Sequence, residues 1–449
     1  MTDWIAFADE LSGIDVLDAP NEVQRRSRDF YWYSPVLKER LEGLTAERAV
    51  VVRSEDDVLR TARACVRQKI PLTVRGGGTG NYGQAVPMSG GVVLDVTGLD
   101  HIDAPSGGAA WMGAGIRMKD ADAALIPEGW ELRMHPSTHS SATVGGFVAG
   151  GSVGAGGITY GRLRDRGNIL GARVVTMEDE PRVIELAGDD VQKVHQAWGI
   201  NGIITSVRMP LAPAYEWIEG AVAFDEFEAA ARFCQATGEA DGLVKKLVTL
   251  LAWPVPSYFR RMRDRLPEGK HIALVMIAAP WWDLFEGLVA EHGGKVVLQG
   301  RYGTEDIDGP PLYEYAWNHT TLHAMKVDRS ITYIQSLFPL GRNVELMCEM
   351  RELFGDEVLI HAEFQRINGQ VTSSALQLVK YTTEARLNEI MDIHVANGIG
   401  IANPHTHFLD DGYKRVSLAA QLGLKAETDP YGLLNPGKIE NAEAARNVA

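Results

Sequence analysis

Histidine carries the most legible chemistry in this chain. His405 and His407 occur in Asn403-Pro404-His405-Thr406-His407. In an extended segment alternate side chains point to one side, and the proline disfavours a helix at Asn403. The pair reads in three ways: a proton-removing base with a substrate ligand, two ligands of a divalent metal that grips a 2-hydroxy carboxylate, or structural residues satisfied by backbone. A metal needs a third ligand, which His361 or Glu363 in His361-Ala362-Glu363 could supply, because imidazole and carboxylate suit zinc, iron or manganese. No metal site is assigned on that pattern. His319 and His323 fall in Asn318-His319-Thr320-Thr321-Leu322-His323, where helical spacing puts both on one face. They are either working groups or the surface and capping residues of a helix. Tyr333, Arg329, Arg342 and Lys326 offer anion contacts, though each reads more simply as a surface or salt-bridged residue.

Glycine is the second signal. Of 47 glycines, 23 lie between Gly76 and Gly171, well above the roughly 7% background. Gly78-Thr79-Gly80-Asn81-Tyr82-Gly83 satisfies a G-x-G-x-x-G pattern, but Pro87 and the Ser89-Gly90-Gly91 turn follow, and then a strand from Val92 to Val96. A nicotinamide fingerprint must open a helix, so that reading is rejected. The loop from Arg75 to Gly83 is either a tight structural turn or a nest of backbone N–H groups around a diphosphate. Pro136-Ser137-Thr138, Ala142 to Gly146, Ala149 to Gly154 and Tyr160-Gly161 add further small residues and hydroxyls, on which a flat aromatic ligand and its phosphates could lie.

The elements that must position these groups change along the chain. Ala49 to Val52, a helix opened by a Ser54/Asp57 capping box, and Pro71 to Val74 read as strand, helix, strand. Short strands are expected at 91–96, 110–114, 171–177 and 203–209. From about Ala212, helices are expected at 225–237, 281–292 and 383–397, and strands at 270–279, 330–337 and 371–381, in a mixed α+β pattern. Asp429 to Lys438 reads as an ordered terminal loop. The aromatic groups Tyr31-Trp32-Tyr33 and Trp281-Trp282 read as packing.

Composition bounds the function. The 449 residues are 45% apolar and carry a net charge of −15, which argues against nucleic acid and polybasic membrane partners and requires a local basic pocket for any anionic substrate. Cys65, Cys234 and Cys348 support neither a disulfide framework nor a cysteine metal site. The longest apolar run, Ile272 to Trp282, is 11 residues, below the roughly 20 that a spanning helix needs. Asp3, Asp9 and Glu10 break any secretory signal, so a cytoplasmic location is expected.

Four separated motifs together resemble the vanillyl-alcohol oxidase or p-cresol methylhydroxylase type of FAD-binding oxidoreductase, nearest its D-lactate and glycolate dehydrogenase branch. They are Arg75 to Gly80, Pro136 through Gly146 to Tyr160-Gly161, Gly202-Ile203-Ile204-Thr205-Ser206-Val207, and Asp429 to Gly432 with Asn435 to Lys438. The resemblance implies an α+β fold: a two-subdomain FAD-binding domain of the PCMH type over 45–212, preceded by a packing segment 1–44. An α+β cap with a mixed sheet would follow over 213–420, and a segment 421–449 would return to the FAD domain. The diphosphate would lie on Arg75, Gly76, Gly77, Gly78, Thr79, Gly80, Asn81 and Tyr82 and on Pro136, Ser137, Thr138, Thr143, Val144, Gly145 and Gly146. The adenine and ribose would lie along Gly202, Ile204 and Val207, and the flavin ring near Gly150, Gly151 and Gly154, with Tyr160, Gly161 and Asn435 as further contacts.

The resemblance implies hydride transfer from a CH–OH carbon to flavin N5 with a histidine base, drawn from His405, His407, His361 and His319. The branch carries Glu-His-Gly near position 405, where this chain has Pro404 and Thr406, so only His405 transfers by type. FAD is expected to be noncovalent, since the first loop has no histidine or cysteine; a link through His405 or His407 is the alternative. A D-2-hydroxy acid is the leading substrate, with an alcohol or para-substituted phenol as the rival. An NADPH-reduced reductase and a flavin-binding protein without turnover are the readings of another class. Partners are a small-molecule substrate and an electron acceptor that no motif specifies, with a homodimer left open.

Overall fold

Ser54 and Asp57 exchange the two hydrogen bonds of a capping box and open the helix Glu55–Gln68, as their spacing predicts. In this computed structural model, which describes residues 2–151, 153–410 and 418–440, that helix connects two parallel strands of a four-stranded sheet. The order is Asp15–Leu17, Arg48–Val51, Val92–Asp95, Leu72–Arg75, with the first pairing antiparallel and the other two parallel. Residues 76–91 contain no helix, which agrees with rejecting the nicotinamide fingerprint.

A five-stranded antiparallel sheet follows, ordered Ala109–Gly113, Ile203–Pro213, Gly171–Val175, Val183–Ala187, with Trp130–Leu132 beside the end of Ile203–Pro213. Trp217–Phe224 then enters a nine-stranded sheet that holds the remaining strands. Every pairing in this sheet is antiparallel. The mixed sheet expected here is therefore found in the first unit instead, where the capped helix makes the crossover that parallel strands require.

The large sheet is apolar on both faces. Helices Phe227–Glu239, Trp282–Glu291, Asn343–Phe354 and Glu384–Ala396 bury Phe233, Phe285, Met347 and Ile390 against one face, where Val248 and Ile334 point. Their alternating neighbours, Leu247 and Tyr333, point to the other face and pack with Tyr33, Tyr313 and Trp317. That period of two hands the second face to the site. Trp282 is core, as expected. Among the described residues no helix is long and apolar enough to cross a membrane, and Cys65, Cys234 and Cys348 are free thiols.

The tail returns to the first unit. Leu434 bridges Leu72 in parallel, and the buried Asp429 carboxylate accepts from Leu433 N and Leu434 N, both at 2.9 Å, and from Lys425 Nζ at 2.6 Å. Asp429→Ala would leave Leu433 N and Leu434 N unpaired and take the counter-charge from Lys425, whose Nζ keeps its bonds to Ile200 O and Leu434 O. The expected loss is about 3 kcal/mol of stability, read by denaturant unfolding, with Asp429→Asn losing less.

Candidate active site

The loop that follows strand Leu72–Arg75 lies against the segment 141–146. An ideal Cβ on Gly77 would sit 2.1 Å from Ser141 O, and one on Gly76 would sit 2.2 Å from Thr143 Oγ1. Close approach of the two backbones thus demands glycine at these positions. At Gly150 a Cβ would meet nothing within 4 Å, so there the missing side chain leaves open space. Of the two sequence readings of the first loop, structural turn and ligand cradle, the close packing at Gly76 and Gly77 fits the first and the open space at Gly150 leaves room for the second.

Between the two segments runs a trough with about 740 Å³ of free space, lined by Arg75, Gly76, Gly77, Gly78, Thr79 and Gly80 from one side and Thr143, Gly145, Gly146, Gly150, Gly202 and Ile204 from the other. A dinucleotide fits these walls: they are largely bare peptide, and they hold the buried and unpartnered Arg75 Nε. Asp29 also reaches the trough, where its Oδ1 accepts from Tyr31 N at 3.0 Å and its Oδ2 from Ala85 N at 3.2 Å. Burial raises the Asp29 carboxyl and lowers the Lys438 ammonium. Lys438 Nζ donates to Gly83 O at 2.6 Å and Val86 O at 3.0 Å. The two groups therefore clamp the 80–86 turn from opposite sides.

The trough opens into a cleft with about 1180 Å³ of free space. Thr79, Gly80, Gln84, Gly146, Gly150 and Trp198 belong to both walls. The cleft adds Asn81, Tyr82, Pro136, Ser137, Thr138 and Gly151 from the first half of the chain, and Trp317, Asn318, His319, Tyr333 and Gln335 from the second. Trp317 precedes helix Asn318–Met325 at φ 51°, ψ −143°, a conformation costing about 1–3 kcal/mol in a residue other than glycine. Glu363 holds it: Oε1 accepts from Trp317 N at 2.5 Å, Oε2 from Thr249 Oγ1 at 2.5 Å, and His361 Nε2 lies 2.7 Å from Oε1.

Three buried polar atoms face the cleft without a hydrogen bond. They are Trp317 Nε1 and the paired Asn318 side chain and Tyr333 hydroxyl, which face each other outside good hydrogen-bond geometry and interact electrostatically. Burial holds the Tyr333 phenol well above its ordinary value, so it stays protonated. Burial, with the Lys326 ammonium nearby, pushes the His319 imidazole down to about 4. His319 is therefore neutral at pH 7 and free to accept a proton.

Of the four histidines named from sequence, His319 alone lines the cleft. His405 does not lie on an extended segment: Asn403 Oδ1 accepts from His405 N at 2.9 Å and closes a turn. Its ring nitrogens sit 2.8 Å from Ser34 Oγ and 2.8 Å from Tyr333 O, a bracing position behind Tyr333. His407 packs on Phe408 with ring centroids 4.0 Å apart, and burial followed by Lys438 and Arg40 lowers it to about 4. His361 is fully buried behind Trp317, beside Glu363 and Thr320. Among the described residues no cluster of three or more His, Cys, Asp or Glu could hold a metal.

Several cofactor candidates also stand back from both cavities. Val144 and Val207 lie in the core of the five-stranded unit, and Gly154 abuts His135 O. Tyr160 lies beneath the Arg133 guanidinium, and a Cβ on Gly161 would meet Asp165. Asn435 braces the trough from outside, with Nδ2 donating to Trp198 O at 2.7 Å and Gln84 O at 3.0 Å. Sequence reasoning missed Asp29, Phe30 and Gln335, and it read Tyr33 as packing alone. It also missed the loop Gln196 to Gly199, where Gln196 and Trp198 adopt φ 54° and 52°; residues other than glycine in that region carry no compositional flag.

Comparison with known proteins fits this geometry. The FAD binding domain family matches residues 46–184. Over 221 residues the chain is 28% identical to the D-lactate dehydrogenase of Archaeoglobus fulgidus, a match covering 46% of this chain and 47% of that protein. It is 30% identical over 157 residues to the D-2-hydroxyglutarate dehydrogenase of Escherichia coli, covering 32% and 15%, and 24% identical over 222 residues to the glycolate oxidase subunit GlcD of that organism, covering 46% and 42%. The chain thus spans about half or less of the length of these relatives. Among solved structures, alkyldihydroxyacetonephosphate synthase superposes with a TM-score of 0.73 over 97% of this chain and 85% of that one, at 16% identity, which is a likeness of fold. The chain therefore carries an FAD-binding domain of the type found in D-lactate and D-2-hydroxyglutarate dehydrogenases and glycolate oxidase subunits, and FAD is its cofactor.

Proposed function

We propose that the chain is an FAD-dependent oxidoreductase that oxidises a hydroxyl-bearing carbon, with His319 as the base. The observation that carries this reading is one cleft wall. A neutral imidazole, the unpartnered Trp317 Nε1 and the poorly satisfied Tyr333 and Asn318 side chains line a space continuous with the cofactor trough. Bound FAD supplies the hydride acceptor. His319 takes the hydroxyl proton, the Tyr333 phenol and Trp317 Nε1 donate to the substrate oxygen, and Asn318 Oδ1 accepts from the substrate. Buried donors left unpaired would cost stability, so a ligand that completes them is favoured. Phe30, Phe147, Leu376 and Trp198 exclude water around the reacting carbon.

The described cleft wall contains no arginine or lysine. A carboxylate directly beside the reacting carbon would lie there without a cation, which favours an alcohol or phenol with an aromatic or apolar body. The second reading, a D-2-hydroxy acid, is supported by the dehydrogenases to which the FAD-binding half is similar. Anaerobic flavin bleaching by D-lactate, D-2-hydroxyglutarate, glycolate and 4-hydroxybenzyl alcohol separates them. The alcohol is expected to bleach the flavin, and bleaching by the acids alone would move the assignment to the second reading. Bleaching by NADPH without substrate would instead make the protein a reductase.

His319→Gln is expected to retain flavin and to slow its reduction by about 10²-fold to 10⁴-fold. Because the neutral imidazole is the active form, the reductive rate should rise with pH through about 4 and stay level across pH 6–8. An unchanged reductive rate and pH profile in His319→Gln would remove His319 from the base role.

A further inference from the structure

Beside the cleft lies a second cavity. Gly151, Val153, Gln196, Gln335, Ser374 and Ala402 belong to both walls, so the cavity is a vestibule through which the cleft can be reached. We propose that this vestibule is an oxyanion subsite, and that it holds the anionic end of an elongated substrate whose hydroxyl end reaches the cleft. The inference rests on the oxidoreductase reading for the reaction and adds the substrate's second recognition point.

Two guanidiniums and an imidazole belong to the vestibule wall: Arg162, Arg164 and His195. Arg162 is drawn toward Asp165, with Nη2 3.4 Å from Oδ1, but its Nε is buried without a partner. Arg164 makes no hydrogen bond or ion pair among the described residues, although Asp165 lies near enough to act on it electrostatically. His195 is 3% exposed, and its Nε2 likewise has no partner. The described wall contains no aspartate or glutamate, in a chain whose net charge is −15.

Burial, and after it the Arg164 and Arg162 guanidiniums, holds the His195 imidazole down at about 3, so it adds no charge of its own beside the two cations. A bound carboxylate or phosphate would pair the guanidiniums, for which planar donors suit oxyanions. This is the local basic pocket that an anionic substrate of an acidic protein requires, placed away from the reacting carbon.

The test uses the FAD-loaded protein and two readouts. In calorimetric titration, inorganic phosphate is expected to bind the wild type and to lose at least about tenfold in affinity in Arg164→Gln, the scale of one charge-assisted hydrogen bond. Arg162→Gln provides a second variant, and flavin content and melting temperature check that both are folded. In anaerobic bleaching, 4-(hydroxymethyl)benzoate is expected to outperform 4-methylbenzyl alcohol, with the ratio falling about tenfold in Arg164→Gln. Phosphate binding that is absent, or equal in wild type and variants, overturns the subsite even if alcohols bleach the flavin. Phosphate binding that is lost in the variants while neither alcohols nor 2-hydroxy acids bleach the flavin upholds the subsite and overturns the oxidation reading.

Discussion

The contact between the bare backbone of Gly76 and Gly77 and the segment 141–143 sets how closely the two walls of the cofactor trough approach. Ser141 O occupies the place where a Cβ on Gly77 would stand, and Thr143 Oγ1 the place of one on Gly76. Any side chain there would push the segments apart, and the trough's two walls would no longer face each other. The wall contributed by Gly146 and Gly150 and the wall contributed by Thr79 and Gly80 are usable because this seam is tight.

The substrate side is held differently, by buried polar groups rather than by close backbone contact. Glu363 is 1% exposed and satisfies Trp317 N, Thr249 Oγ1 and His361 together. It offsets the strain of a tryptophan at φ 51° and so sets the start of the helix that presents Asn318 and His319. His405 does similar work from behind, where it braces Ser34 against the strand carrying Tyr333. Histidines that look catalytic in sequence thus divide into one that faces the cleft and others that position what faces it.

The same division explains what was legible in the sequence. The capped helix Glu55–Gln68, the strands around it and the glycine loops are local features, with signals that lie within a few residues. The cleft depends on contacts between distant segments: Tyr82 Oη donates to Gln335 Oε1 at 2.5 Å across 253 positions, and Tyr333 stands beside Asn318 from another element. Nothing in Asn403-Pro404-His405-Thr406-His407 announces that Asn403 will close a turn and draw His405 toward Ser34. The antiparallel pairing of the large sheet was equally hidden, because strand direction is set by connections and not by the composition of each strand.

The tail that carries Leu434, Asn435 and Lys438 completes the cofactor half from the far end of the described chain. Asn435 fixes the carbonyls of Gln84 and Trp198, and Lys438 those of Gly83 and Val86. During synthesis on the ribosome, the segment 46–184 emerges long before these residues do. The trough in its finished form therefore depends on contacts made by residues that lie far beyond its nucleotide-binding part in the sequence.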